Sequence, residues 1–305
     1  MREILKITIA LTVSCLLAGL VIGTTFIFTA KAKQHNEHLN VQQTMFGLLG
    51  YSKQRPAPPE LRLYSVYRYI VEENDAMSMG YMVPVQKGSV EGYAFIVLDL
   101  KGRFLESYDL GLTAEEALSA EDRKKALAPV LKDSAEISFA DAMIIACMEE
   151  ERTAYLLPGE FPGFKTFIKA MVALDPHFQI LGLEVIEHEE DPGLGGEITQ
   201  DYFKNQFVGK SFEKLKKLTV IKEPLPEDYK LYLETMGNTE EGGLSAREVE
   251  RIQKHYQDKD IYALTGATIS SAAVTSGVVG MAKKFAYRVQ ILDQAVEKGD
   301  VPVLF

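Results

Sequence analysis

From Ile7 to Ala30 the chain runs for 24 residues without a charge, carrying only Thr, Ser and Cys as polar side chains. At about 1.5 Å per residue a helix of that length crosses the ~30 Å hydrocarbon core of a bilayer. The stretch therefore predicts one transmembrane helix, and the remainder of the 305 residues must fold beside a membrane. A cleaved signal peptide is the rival reading, but its apolar core should span only ~7–15 residues and end in a small-x-small site. Neither is seen. Cys15 falls in the middle of the span, where a lipoprotein cysteine would not. Arg2 and Lys6 precede the span and Lys31 and Lys33 follow it, so the positive-charge bias does not orient it.

His35 to Pro59 is polar and Pro-rich, and reads as a stalk. The chain as a whole carries a net charge of −10, which argues against a basic footprint for nucleic acid. The only cysteines, Cys15 and Cys147, each lie in an apolar run and read as packing residues. Two thiols cannot supply a four-cysteine iron–sulfur cluster. Tyr93 to Leu100, a Lys101-Gly102 turn and Arg103 to Tyr108 predict a hairpin. Thr113 with Glu116, and Ser138 with Asp141, have capping-box spacing and predict helices over 114–131 and 139–152. Lys165 to Leu174 and Gln179 to Glu187 predict a second hairpin across an Asp175-Pro176 turn. Ser245 and Glu248 form another capping box, opening a helix over 246–257.

Near the C-terminus, Leu264-Thr265-Gly266-Ala267-Thr268-Ile269-Ser270-Ser271 precedes apolar residues at helical spacing: Val274, Val278, Met281, Phe285, Leu292 and Val296. Ser270 or Ser271 is the expected N-cap, and the turn ahead of it lies where helix N–H groups favour an anion. Thr-Gly-Ala-Thr-Ile-Ser-Ser followed by Ala273 to Val278 resembles the flavinylation motif of the FMN-binding domain family. That domain occurs in the G subunit of Rnf ion-translocating electron transport complexes and the C subunit of sodium-translocating NADH:quinone oxidoreductases. The resemblance implies that a flavin transferase esterifies FMN to Thr268, with Thr265, Gly266, Ala267, Ser270 and Ser271 around it. A second motif agrees. The family's His-x-Glu-Thr-Pro-Gly-Leu-Gly segment, which lines the flavin, is matched by His188, Glu190, Pro192, Gly193, Leu194 and Gly195, with Asp191 in place of Thr. Pro fixes such a loop and glycines let backbone approach a flat ring. Gln206-Phe207-Val208-Gly209-Lys210 also resembles the family, and the likeness covers about residues 160–295.

Competing chemistry is poorly supported by the same residues. His188 with Glu187, Glu189, Glu190 and Asp191 sits on one turn, where consecutive side chains cannot all face a metal. Gly193-x-Gly195-Gly196 lacks the Rossmann spacing, and no Gly-x-Ser-x-Gly is present. Gly277 and Gly280 read as close-packing positions. One departure stands out: the family places an Asp six residues before the modified Thr, whereas this chain has Tyr262, with Asp260 two residues upstream.

The expectation is an α+β chain of antiparallel β hairpins packed with helices behind one N-terminal transmembrane helix. Its expected divisions are an anchor (1–32), a stalk (33–59), a spacer or docking region without a catalytic signature (60–157) and an FMN-binding domain (158–305). The resemblance implies an extracytoplasmic, membrane-anchored electron-transfer subunit with covalent FMN, partnered by other membrane subunits of an Rnf-type ferredoxin:NAD oxidoreductase coupled to Na⁺ or H⁺ translocation. The quinone-reductase C subunit, or a non-redox anchored scaffold with a degenerate flavin site, are the alternatives.

Overall fold

The computed structural model describes residues 2–74, 76–131, 135–149, 151–236 and 244–305, in two compact units, Met1–Gly47 and Leu48–Phe305. The first is one helix, α1 (Arg2–Leu48), whose segment Arg2–Phe26 is long and apolar enough to cross a membrane. This fits a membrane anchor. The helix runs on to Leu48, through much of the stretch expected to be a stalk; no Pro or Gly interrupts residues 31–46, so nothing in the backbone chemistry stops it.

The second unit is built on an eight-stranded antiparallel sheet. Its strands are β1 (Leu61–Glu73), β2 (Ala76–Lys87), β3 (Val90–Asp99), β4 (Phe104–Asp109), β5 (Ala135–Met148), β6 (Glu151–Pro162), β7 (Phe167–Leu174) and β8 (Ile180–Glu187), in spatial order β4-β3-β2-β1-β5-β6-β7-β8. The expected helix over 139–152 is thus wrong: those residues form most of β5 and the start of β6. Ile144, Ile145 and the run to Met148 pair with Leu61–Ser65 in mid-sheet. A β-branched run buried there gains more from packing on two strands than a Ser–Asp cap returns to a helix. The helix expected over 114–131 is shorter. The Thr113–Glu116 box forms (Thr113 N–H to Glu116 Oε2, 2.9 Å) but caps only a 3₁₀ turn, and α2 spans Ala120–Leu127 behind Ser119. β6 runs through residue 158, so the sheet is continuous across the start expected for the flavin domain.

β1–β4 and β5–β8 are two copies of one meander, related by a pseudo-two-fold axis between β1 and β5. Ala94-x-x-x-Leu98-Asp99 in β3 recurs as Ala170-x-x-x-Leu174-Asp175 in β7. Asn74 and Glu149, at the first turns, both have φ of 50°. The Asp99 carboxylate accepts from the N–H groups of Lys101 and Arg103 (both 2.9 Å), and that of Asp175 from His177 and Gln179 (both 2.8 Å). Gly102 and Phe178, at the same place in these turns, have φ of 77° and 63°. The ladders shift register at equivalent points, Val97/Leu98 and Ala173/Leu174. Each copy then ends on Asp-x-Gly-Leu, as Asp109–Leu112 and Asp191–Leu194, followed by a 3₁₀ turn and a short helix, α2 in the first copy and α3 (Asp201–Lys204) in the second.

After α3 come α4 (Phe212–Leu215), β9 (Val220–Ile221), α5 (Glu227–Glu234), α6 (Ala246–Tyr256), β10 (Ile261–Tyr262), which pairs in parallel with β9, and α7 (Thr268–Gly299). The Ser245–Glu248 capping box opens α6 as expected. α7 buries Val274, Val278, Ala282, Phe285, Val289 and Leu292 in one core with residues from both copies, among them Ile96, Ile145, Tyr155 and Val172. Each of the Val, Phe and Leu side chains contributes about 1.5–3 kcal/mol of transfer free energy, which fixes α7 across the sheet. On the opposite face of the first copy, Leu112, Ala117 and Leu127 cover Tyr67, Tyr69, Met82 and Phe95.

Candidate functional site

The start of α7 is set by Gly266. Its φ of 77° is a backbone conformation that other residues resist, and it turns the chain so that the helix begins at Thr268 behind Ala267, which has no side-chain cap. The expected caps at Ser270 and Ser271 are therefore incorrect. Both lie inside the first turn and bond elsewhere: the Ser271 hydroxyl accepts from Leu264 N–H and donates to Ala267 C=O (both 2.9 Å), and the Ser270 hydroxyl donates to the Glu190 carboxylate. Both side chains are buried. Thr268 is left half-exposed in the first turn, where unpaired N–H groups and the helix dipole favour an anion, and Thr265 is exposed ahead of Gly266.

Glu190 ties the second motif to this turn. Only 4% exposed, its carboxylate accepts from the N–H groups of Phe164 (2.7 Å) and Lys165 (3.2 Å) on the β6–β7 loop as well as from Ser270. His188 has a structural role, its Nδ1 accepting the Glu190 N–H at 3.1 Å. Asp191 pairs with Lys165 and its carbonyl accepts from Leu194 N–H (3.1 Å) and Gly196 N–H (2.8 Å), folding Pro192-Gly193-Leu194 into an exposed turn. Gly195 is required by close approach: a Cβ there would lie 2.6 Å from the Ser270 Oγ and 2.7 Å from Glu190 Oε2. Leu194 leans toward Gly266, its Cδ2 3.1 Å from where a Cβ on Gly266 would be. All twelve sequence-predicted residues therefore fall on two segments that Glu190 and Ser270 join. Of the two glycines expected to pack closely, Gly277 does so, against Phe161, whereas Gly280 has no heavy atom within 4 Å of its Cβ direction.

The Gln206–Lys210 segment supports the approach to the motif. Gln206, buried, holds the Tyr262 backbone at both ends, accepting from its N–H (2.7 Å) and donating to its C=O (3.2 Å). Tyr262 itself packs among Tyr229 and Tyr256, so the position where the family has Asp is a core position here. Asp260 is tied to Lys214 and Thr219 (both 2.6 Å). Burial pushes its carboxyl up, but those two groups more than offset this and hold it below its usual range. Lys210 donates to the carbonyls of Gln257 (3.0 Å) and Lys259 (2.8 Å). Burial, with the neighbouring Lys214 ammonium, pushes Lys210 down to about 8.

That shift sets a pH dependence. Lys210 has a lower pKa folded than unfolded, so between about 8 and its ordinary value of 10.5 the unfolded chain binds more protons and stability rises with pH. Below about 8 both states are charged and the burial penalty is fully present. Lys210→Met should flatten that rise, which for a shift of this size is on the order of 3 kcal/mol. Denaturant titrations of both proteins at pH 7.5 and 10.5 check it; parallel slopes would refute the assignment.

The geometry fits a flavin nucleotide. A half-exposed threonine hydroxyl at a helix N-terminus can carry a phosphate, while Leu194 and Ile269, 47% and 62% exposed, offer apolar surface beside it to a flat ring. Residues 163–283 match the FMN-binding domain family. This segment is an FMN-binding domain. Its cofactor is FMN. Among curated proteins, the chain is 33% identical over 125 residues to the G subunit of the proton-translocating ferredoxin:NAD(+) oxidoreductase complex of Clostridium ljungdahlii, covering 41% of this chain and 49% of that one. It is 29% identical over 120 residues to the G subunit of the Na(+)-translocating ferredoxin:NAD(+) oxidoreductase complex of Acetobacterium woodii, covering 39% and 42%. The chain thus spans about half or less of the length of these relatives. NqrC of Shewanella oneidensis aligns with 53% of this chain and 65% of its own at 19% identity, with a TM-score of 0.36. The FMN-binding domain takes in β7, β8 and the start of α7, so both motifs lie within it. The β6–β7 loop, with Phe164, went unnoticed in the sequence. Its signal was Gly163 followed by an aromatic residue ahead of a strand.

Proposed function

We propose that this chain is a membrane-anchored electron-transfer subunit of an ion-translocating oxidoreductase complex of the Rnf type, carrying FMN esterified to Thr268. The observation that carries this reading is the placement of Thr268, half-exposed in the first turn of a 32-residue helix, beside the segment that Glu190 pins to it. When bound, FMN supplies the redox chemistry. The chain's own contribution is to hold it. The helix N-terminus faces the phosphate, Leu194 and Ile269 give the ring an apolar surface, and Glu190 keeps the two segments in register. Covalent attachment suits a location where a dissociated cofactor is not readily replaced, and it requires a flavin transferase as a partner. Other membrane subunits supply and accept the electrons, and residues 60–157 serve as scaffold and docking surface. The experiment is a denaturing gel of the purified protein under ultraviolet light, in which only covalent flavin fluoresces; a dark band would overturn the reading.

The soluble unit is placed outside the cytoplasm, with α1 as a single-pass anchor. Reporter fusions test this: a C-terminal alkaline phosphatase should be active and a C-terminal green fluorescent protein dark. The reverse pattern would invert the topology.

A further inference from the structure

The two meanders give this protein an internal control, because the first copy has the framework of the second without its cofactor motifs. The shared features belong to the framework: the hairpins, the Asp99 and Asp175 turns, the Asp-x-Gly-Leu ends and an ion pair from the middle of each meander to that end, Lys87–Asp109 in one and Lys165–Asp191 in the other. The second copy departs from the first at two places near the site. The β2–β3 hairpin, closed by the Lys87–Val90 pair, has Gly88-Ser89 at its tip, whereas the β6–β7 hairpin, closed by the Gly163 N–H to Thr166 C=O bond (2.6 Å), has Phe164-Lys165 there. Asp109 is the last residue of β4, whereas His188-Glu189-Glu190 separate the end of β8 from Asp191. Glu190 lies in the second of these and reaches the first, accepting from the Phe164 and Lys165 N–H groups on one side and from the Ser270 hydroxyl on the other.

A hairpin tip fixed by a buried carboxylate presents something. What it presents is Phe164, 57% exposed. Leaving a phenyl ring in water forgoes the transfer free energy that burial would return, and the counterpart position, Gly88, manages without one. The leucines at the two copies' ends differ in the same sense: Leu112 is 6% exposed beneath α2, whereas Leu194 is 47% exposed beside Gly266. The geometry points to Phe164 as a cofactor-covering residue, whose ring closes over one face of the isoalloxazine attached at Thr268 while Leu194 lies at its edge. Aromatic rings favour such offset-stacked or edge-on contacts. This inference rests on the proposed attachment at Thr268.

The test uses the full chain in detergent, produced with its flavin transferase, and two readouts. Fluorescence in a denaturing gel reports attachment, and iodide quenching of flavin fluorescence in the native protein reports how much of the ring is open. In Phe164→Ala the gel signal should persist while the quenching constant rises about twofold, as when one of the two faces of a flat ring is uncovered. Phe164→Tyr should restore the wild-type value. Phe139→Ala, which removes an equally exposed ring (55%) from β5, should leave it unchanged. A persistent gel signal with unaltered quenching in Phe164→Ala sinks this inference alone. So does an equal rise in Phe139→Ala, or loss of the gel signal in Phe164→Ala, which would assign the ring to the attachment step. A wild-type protein dark in the denaturing gel instead removes the Thr268 reading, and this inference with it.

Discussion

Thr268→Val abolishes in-gel flavin fluorescence completely, while Thr265→Val retains it: that is the result expected from the start of α7. Ser270, Ser271 and Thr275 are 3%, 0% and 2% exposed and their hydroxyls are bonded to Glu190, to Leu264 and Ala267, and to Ser271 C=O respectively. A transferase cannot reach them without opening the helix. Thr265 is reachable but precedes the Gly266 turn, whereas a phosphate on Thr268 lies in the first turn and gains about 0.3–1 kcal/mol from the helix dipole when exposed. Val keeps the volume and removes the nucleophile. Since Thr268 is half-exposed and makes no cap, the fold should change by only about 0.5 kcal/mol, so circular dichroism and melting should match wild type. Mass spectrometry that finds the adduct on another residue would refute the assignment.

Glu190→Ala should be the most damaging single change near the site. It leaves the Phe164 N–H, the Lys165 N–H and the Ser270 hydroxyl without their acceptor in a buried place. Each such loss costs about 1–3 kcal/mol when water does not replace it, and partial access to solvent at the loop reduces the sum to about 3–5 kcal/mol. Glu190→Gln keeps one oxygen for the loop, and the Ser270 hydroxyl can rotate to accept from the new amide, so its loss should be about 1–2 kcal/mol. Denaturant unfolding of the two variants measures the difference; if Glu190→Ala unfolds with wild type, Glu190 does not hold the two segments together.

The sequence made the site legible because each half of it is a local motif, Thr265–Ser271 and His188–Gly195, whose turn residues act within a few positions. It did not show what joins them. The Glu190–Ser270 bond spans 80 residues and the Gln206–Tyr262 clamp 56, and neither leaves a periodic trace. Ser138 and Asp141 have the spacing of a helix cap, yet Asp141 is a strand residue bridging Arg68 and Arg288; only the partner strand β1 reveals this. β1 and β2 passed unread since tyrosines and methionines blur their alternation. The duplication is carried by hydrogen-bond geometry and register more than by identity. Ala-x-x-x-Leu-Asp and Asp-x-Gly-Leu are too short to stand out unaided.

The seam between β1 and β5 has a further consequence. β5 is 14 residues long, and without β1 it would be the inner border of the flavin-bearing half, a run of unpaired N–H and C=O groups of the kind that recruits other chains into aggregates. Because the pairing strand belongs to the same polypeptide, every molecule carries its own partner in one-to-one ratio, at an effective concentration set by the intervening chain and not by expression. Dilution does not weaken the pairing, and two newly made copies have no open border at this seam through which to exchange strands.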